Sequence, residues 1–201
     1  MDYKKVFLLL NGEAPNKIPN INDYDIICAT DGAYQFLEEN NIIPDFISGD
    51  FDSIQTVPES VEIINTPDQN YTDFDKILKI IYEKNYRNID VFGGSGKEQD
   101  HFLGNLHTAI HWRVKLKITF FDNYGFHLLA DKYTELSGCK GKTVSLVPFD
   151  LVTGVVTKGL KYPLNNENLS FRSRIGTRNM AIADNISITL KTGCLFIFIN
   201  D

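Results

Sequence analysis

Short apolar runs take turns with helical patterns from Val6 to Phe121, and this alternation restricts the possible folds more than any other feature of the chain. The runs VFLLL (Val6 to Leu10), DIICA (Asp25 to Ala29), DFISG (Asp45 to Gly49), VEII (Val61 to Ile64), IDVF (Ile89 to Phe92) and KITFF (Lys117 to Phe121) read as strands, most of them buried on both faces. Between them, Phe74, Ile77, Leu78 and Ile81 follow i, i+3, i+4, i+7, and Phe102, Leu103, Leu106 and Ile110 do nearly the same. That spacing marks a helix with one apolar stripe. Strand and helix in alternation give a parallel α/β sheet covered on both faces.

Beyond Asp122 the pattern changes. HLLA, KTVSLVP, TGVVT, NISITL and CLFIFI are short, β-branched and punctuated by glycines, with no helical period, which predicts a small all-β sandwich or barrel. The expected organisation is an α/β domain over residues 1–123 followed by a β-sandwich domain over 124–201.

Composition removes several function classes. The chain has 201 residues, of which 43% are hydrophobic and 23% charged, so it is an ordinary globular chain able to bury roughly 70% of its unfolded surface. A net charge of −6 leaves no basic excess with which to grip a nucleic-acid backbone. Cys28, Cys139 and Cys194 are widely separated and include no C-x-x-C pair, so reduced thiols in a cytoplasm fit better than a disulfide framework or a zinc site. The run Val6 to Leu10 is too short for a signal peptide, and no stretch approaches the ~18 apolar residues of a membrane span. The expectation is a soluble cytoplasmic protein with no membrane and no nucleic-acid partner.

Chemistry concentrates where strands end. Asp31-Gly32 follows DIICA, Asp50 and Asp52 follow DFISG, Asp68 and Asp73 lie beyond VEII, and Gly93-Gly94-Ser95-Gly96-Lys97 follows IDVF on the way to Asp100-His101. Ligands of doubly wound sheets bind outside the carboxyl ends of the strands. The segment reads as extended, so Asp50 and Asp52 share a face and Phe51 points inward; two such charges roughly 5 Å apart repel by about 3 kcal/mol at an effective dielectric near 20. Each acid also has a local reading: Asp50 and Asp52 at a solvated turn, Asp31 at a turn or N-cap, Asp73 in the capping sequence after Thr72, Asp100 as an N-cap. Convergence on one edge favours a hard cation such as Mg²⁺, whose coordination substrate phosphates complete.

The glycine run is no Walker A loop, since Val91 stands where its first Gly belongs and Glu98 where Ser or Thr belongs. It is no dinucleotide fingerprint either, since Gln99 replaces the last Gly. What remains is a strand-turn-helix able to hold an anion on backbone amides, with Lys97 as a point charge. His107 and His111 are i, i+4 on a helix, but Thr108 holds the place of the zincin Glu. Arg172, Arg174 and Arg178 are either a solvated strand or an anion site.

TDGAY (Thr30 to Tyr34), PDFISGDFDS (Pro44 to Ser53), TPDQNYTDFDK (Thr66 to Lys76), GGSGKEQDH (Gly93 to His101) with LGNL after it, SLVPF, and GLKYPLNNENL (Gly159 to Leu169) occur in this order, and the set resembles thiamin pyrophosphokinase. The resemblance implies an α/β ATP-binding domain joined to a β-sandwich, a homodimer, and Mg²⁺-dependent transfer of pyrophosphate from ATP to thiamine. It implies that Asp50, Asp52 and Asp73 hold Mg²⁺ and the ATP phosphates, and that Asp31 and Asp100 complete an acidic pocket. Gly93, Gly94, Ser95, Gly96, Lys97 and His101 would approach the nucleotide, and Asp100 or Asp73 would take the thiamine proton. Gly176, Thr177 and Asn179 would form part of the thiamine pocket, against the partner subunit's α/β domain. Glu98 stands where that family usually has Arg, and Arg178 where it usually has Ser. The rival readings are a non-catalytic nucleotide or thiamine sensor and a Mg²⁺ phosphatase with an aspartyl nucleophile, which would want Thr where Ile54 stands.

Overall fold

The computed structural model describes residues 4–51 and 59–201; Asp52 lies outside the described residues. The chain divides into two compact units, Met1–Asn123 and Tyr124–Asp201.

In the first unit, β1 (Lys5–Leu9), β2 (Ile26–Thr30), β3 (Phe46–Gly49), β4 (Glu62–Asn65), β5 (Asn88–Phe92) and β6 (Lys117–Asp122) pair in parallel in the order β4-β3-β2-β1-β5-β6. The chain steps outward from β1 to β4, then returns to the other side of β1 to form β5 and β6. Connections leaving β1 and β5 therefore diverge, and a crevice opens at the carboxyl edge between them. On one face Phe7, Leu9, Ala29, Ile47 and Phe92 pack with Leu37 of the short α1 (Tyr34–Glu39). The alternate residues Val6, Leu8, Cys28 and Phe46 are equally buried, as period two requires of strands covered on both faces. β4 departs from this pattern: Glu62, Ile63 and Asn65 are exposed, because β4 is the edge strand.

Of the two longer helices, the first follows the predicted spacing and the second departs from it. In α2 (Asp73–Glu83), Phe74, Ile77, Leu78 and Ile81 are all buried, and Thr72 Oγ1 caps the helix by accepting from Asp75 N at 3.2 Å. Asp75 Oδ1 accepts from Trp112 Nε1 at 2.8 Å, tying α2 to α3 (Gln99–Trp112). The buried face of α3 runs through Leu106, Ala109 and Trp112, whereas Leu103, which the spacing places inside, is 59% exposed.

The second unit is all β. Its strands are β7 (Gly125–Leu129), β8 (Tyr133–Leu136), β9 (Thr143–Lys158), β10 (Asn165–Ser170), β11 (Gly176–Met180), β12 (Ile186–Thr189) and β13 (Thr192–Asn200). The segments KTVSLVP and TGVVT are one strand: the first half of β9 pairs with β11 and β13, the second with β10 and β12. Val144, Leu146 and Val152 point to the core, but beyond Gly154 (φ +63°) the buried residues are Val155 and Thr157. A one-residue bulge with glycine in the left-handed region flips the faces and keeps the core continuous. That core joins Val144, Leu146, Leu195 and Ile197 to Val152, Val155, Leu169 and Ile188. His127 is buried in β7 and stacks on Phe198, ring centres 4.6 Å apart at 18°.

One local arrangement at the end of β3 positions the site. Asp31 Oδ1 accepts from Gly32 N at 2.7 Å and Oδ2 from Phe51 N at 3.0 Å. A Cβ on Gly49 would stand 2.1 Å from Asp31 Oδ2, so glycine there makes room for the carboxylate. Phe51 packs toward the core as expected but has φ +61°. The chain is therefore not extended through Phe51, contrary to expectation, and the placement of Asp52 lies outside the described residues. A left-handed non-glycine residue costs roughly 1–2 kcal/mol. The Asp31 hydrogen bond holds it there.

Gly49→Ala should displace the Asp31 carboxylate and release Phe51, lowering unfolding free energy by about 1–3 kcal/mol in urea titration. In the Asp31→Ala background the same substitution should cost clearly less, since the clash is gone; equal costs in both backgrounds would contradict this packing. Burial pushes the His127 imidazole from 6.5 down to about 4. The unfolded chain binds the proton first as pH falls, so the contribution is complete above pH 6.5 and is lost on the way to about 4. Between about pH 7 and about pH 4.5 the parent should lose roughly 2 kcal/mol more stability than His127→Phe. Parallel pH profiles of the two would show that His127 is charged within the fold.

A carboxylate-lined cleft at the carboxyl edge

The turns that leave β1, β2 and β5, the loop before α2 and the first turns of α3 enclose a cleft of about 560 Å³. Asp31, Asp73, Glu98 and Asp100 line it, together with Lys76 and Lys97. Gly93, Gly94, Ser95 and His101 are also in its walls. Three of the acids expected to converge, Asp31, Asp73 and Asp100, thus share one cavity. Asp50 stands beside it, its Oδ2 accepting from Nε2 of the cleft residue Gln69 at 3.4 Å. Gly96 belongs with Lys97 to an adjoining cavity of about 460 Å³.

Backbone bonding shapes the lip. Beyond the strands, Leu10 N donates to Phe92 O at 2.9 Å, Gly12 N to Gly93 O at 2.8 Å and Glu13 N to Ser95 O at 2.6 Å. A Cβ on Gly12 would lie 2.2 Å from Gly93 O, and one on Gly93 2.2 Å from Leu10 O. The first role of these glycines is therefore close approach of two turns, not a phosphate cradle. Asn105 Nδ2 donates to Gly94 O at 2.9 Å and anchors α3 to the same turn.

The cations are held as well. Lys97 Nζ donates to Asn11 Oδ1 at 3.0 Å. Lys76, with a side chain only 10% exposed, pairs with Asp73 Oδ1 at 2.7 Å and donates to Thr66 O at 2.9 Å. Asp100 Oδ1 accepts from His101 N at 3.0 Å, and His101 Nε2 faces Glu98 Oε2 at 3.8 Å. Asp68 lies outside the lining; the backbone and side-chain N–H groups of Asn70 hold its carboxyl below the usual range. Asn11, Thr30, Gln69, Asn70 and Lys76 are wall residues that sequence reasoning missed. Thr30 lies within the segment TDGAY and Gln69, Asn70 and Lys76 within TPDQNYTDFDK, while Asn11-Gly12 is a turn pair directly after an apolar strand.

The donors are carboxylates and hydroxyls, the oxygen set that a hard divalent cation takes. Among the described residues no group of three His, Cys, Asp or Glu side chains is set to hold an ion alone. The chemistry fits Mg²⁺ bound through few protein ligands and completed by a polyphosphate, rather than a closed protein cage.

In the second unit, Gly176, Thr177 and Asn179 lie on β11, which pairs with β9 through an irregularity between Gly176 and Asn179. Arg178 falls in that irregularity with φ +57°, its N donating to Ser145 Oγ at 3.0 Å. The Asn179 amide accepts from Tyr162 N at 3.1 Å and donates to Tyr162 O at 2.7 Å, strapping β11 to the neighbouring loop.

Comparisons with known proteins match this layout. A family model described as the thiamin pyrophosphokinase catalytic domain matches residues 19–121, and one described as the thiamin pyrophosphokinase vitamin B1 binding domain matches residues 127–195. Thiamine pyrophosphokinase of Bacillus subtilis (strain 168) is 25% identical, over 95% of this chain and 96% of the relative. Thiamin pyrophosphokinase 1 of Caenorhabditis elegans is 27% identical, over 95% of this chain and 87% of the relative. Among solved structures, thiamine pyrophosphokinase from B. subtilis superimposes with a TM-score of 0.86 at 24% identity, covering 98% of this chain and 99% of that one. Thiamin pyrophosphokinase from Candida albicans does so with a TM-score of 0.85 at 18% identity, covering 100% of this chain and 90% of that one. With both family models placed in order along its length, this chain belongs to the thiamin pyrophosphokinase family of transferases.

Proposed function

We infer that the chain transfers the pyrophosphoryl group of ATP to the hydroxyl of thiamine, giving thiamine diphosphate and AMP, and that the transfer runs in the cleft at the carboxyl edge of the parallel sheet. The observation that carries this reading is the gathering of Asp31, Asp73 and Asp100, from three separate segments, in one cavity beside Lys97. Bound Mg²⁺ would spread the charge of the triphosphate, with Asp50 and Asp73 as ligands; Asp52, the third ligand expected from the resemblance, lies outside the described residues.

The rest of the work falls to the chain. Positioning and charge stabilisation dominate such transfers. Lys97, steadied by Asn11, supplies a fixed positive charge for the phosphates, and Lys76 keeps Asp73 oriented. The thiamine oxygen attacks the β-phosphorus, the bond from that phosphorus to the α,β-bridging oxygen breaks, and AMP leaves with that oxygen. The hydroxyl proton goes to Asp100 in preference to Asp73. Asp73 is neutralised by Lys76, whereas Asp100 has no ion pair among the described residues. Gly176 and Thr177 would face thiamine, supported by their position inside the vitamin B1 model; Asn179 would shape that wall through its hold on Tyr162.

Exposed Phe171, Ile175, Met180 and Ile182 support a homodimer through the β unit. Free Cys28, Cys139 and Cys194 support a reducing cytoplasm. Among the described residues no helix is long and apolar enough to cross a membrane.

Incubation with ATP, Mg²⁺ and thiamine should release AMP and thiamine diphosphate in equal amounts; ADP with thiamine monophosphate would contradict the reading. Asp100→Asn should lower kcat by about 10²- to 10⁴-fold without lowering Tm, because a like charge leaves an acidic wall. Normal turnover with a reduced Tm would make Asp100 structural.

A further inference from the structure

Lys76 belongs to the cleft wall from one turn into α2, yet its side chain is only 10% exposed. Two acceptors hold its ammonium. One is Thr66 O at 2.9 Å, on a residue whose own N donates to Gly49 O, at the end of β3, at 2.8 Å. The other is Asp73 Oδ1 at 2.7 Å. Hydrogen bonds therefore run from the sheet through Thr66 and Lys76 to one oxygen of a carboxylate in the cleft wall. A largely desolvated ammonium keeps its charge only with such partners in place, so the pair resists being opened.

The consequence falls on Asp73. Its side chain is 53% exposed, and Lys76 holds it through Oδ1, which leaves Oδ2 for a ligand. Divalent cations differ in how they use a carboxylate. Mg²⁺ demands a compact octahedron, which single carboxylate oxygens, phosphates and waters complete, whereas the larger Ca²⁺ takes more oxygens and readily chelates both oxygens of one carboxylate. Asp73 can turn both oxygens to a cation only by giving up its ion pair with Lys76. Resting on the reading that Asp73 holds Mg²⁺ with the ATP phosphates, we propose that Lys76 is a positioning residue that restricts Asp73 to one ligating oxygen and so makes the cleft favour Mg²⁺ over Ca²⁺.

Lys79 provides an internal control. It lies on the same helix, three residues further on, and is exposed. It carries the same charge as Lys76 but lies outside the cleft lining. If positive charge on α2 were the whole story, the two lysines would behave alike.

The test measures Kd by calorimetry on the full chain for the Mg²⁺ and Ca²⁺ complexes of an ATP analogue with a methylene group between the α- and β-phosphorus, which cannot be cleaved there. The parent should bind the Mg²⁺ complex more tightly. Lys76→Met keeps an apolar stem and removes the ion pair, so it should tighten the Ca²⁺ complex and lower the preference for Mg²⁺ about tenfold, the scale of one hydrogen bond to a charged group. Its Tm should fall, because Thr66 O loses a donor, and the titrations are run below that transition. Lys79→Met should keep the parent preference. Asp73→Asn should weaken both complexes and abolish the preference. A parent without preference would overturn the proposal. So would a Lys76→Met chain that gains equally for both ions or for neither, an equal loss of preference in Lys79→Met, or a parent-like preference in Asp73→Asn. Failure of the product assay with the Lys76-dependent preference intact would instead remove the assigned reaction and leave the role of Lys76 standing.

Discussion

The cleft depends on the pairing of β1 with β5 continuing beyond both strands. Three backbone hydrogen bonds, from Leu10, Gly12 and Glu13 to Phe92, Gly93 and Ser95, lock the two diverging turns together at the one place where the strand order reverses. Glycine at positions 12 and 93 makes the approach possible, because a side chain on either would collide with the opposite backbone. Asn105 then fastens the first turns of α3 to Gly94. A cavity walled by loops is ordinarily soft. Here each loop is cross-linked to a neighbour, so charged groups can be held in place before a ligand arrives, which is what electrostatic catalysis requires.

Electrostatics at this rim contrast with the one buried acid among the described residues of the same sheet. Asp90, in the middle of β5, is buried, and its Oδ2 accepts from Lys5 Nζ at 2.7 Å and Tyr24 Oη at 3.0 Å. Burial and that carboxylate together push the Tyr24 hydroxyl well above its usual range. A desolvated carboxylate survives only with its partners in place, so Asp90 reads as structure. Asp73 and Asp100 are exposed instead, each with one oxygen engaged by a neighbour, Lys76 Nζ or His101 N. Capping, turn-making and ligand-binding readings of such acids are not exclusive, since a carboxylate oriented by one oxygen presents the other in a defined direction.

Most of the α/β unit was legible because strands covered on both faces must be continuously apolar, and the stripe of α2 has few alternatives. The exceptions have local causes. β4 is exposed because it is an edge, and Leu103 faces outward because α3 packs through Leu106, Ala109 and Trp112. Phe51 adopts a left-handed conformation stabilised by Asp31, a residue 20 positions away, which no local rule could supply. In the β unit, β8 (YTEL), β10 (NNENLS) and β11 (GTRNM) carry little apolar alternation and are strands because β9 and β12 give them partners. The bulge at Gly154 merges two predicted strands into one by changing which residues face the core.

Apart from Lys76, the residues that sequence reasoning missed in the cleft share a physical character. Asn11, Thr30, Gln69 and Asn70 are neutral, and neutral side chains reveal themselves only when neighbours are known. A charge in an apolar context is conspicuous in sequence because its burial is costly, whereas a threonine ending a strand is what β propensity alone would place there. A left-handed phenylalanine, clustered acids and, among the described residues, buried hydroxyls without a partner all occur at the carboxyl ends of β2 to β5, while the strands behind them are packed and paired. Free energy gained in that core offsets local instability at the rim, and a rim kept incomplete in this way is stabilised by what it binds.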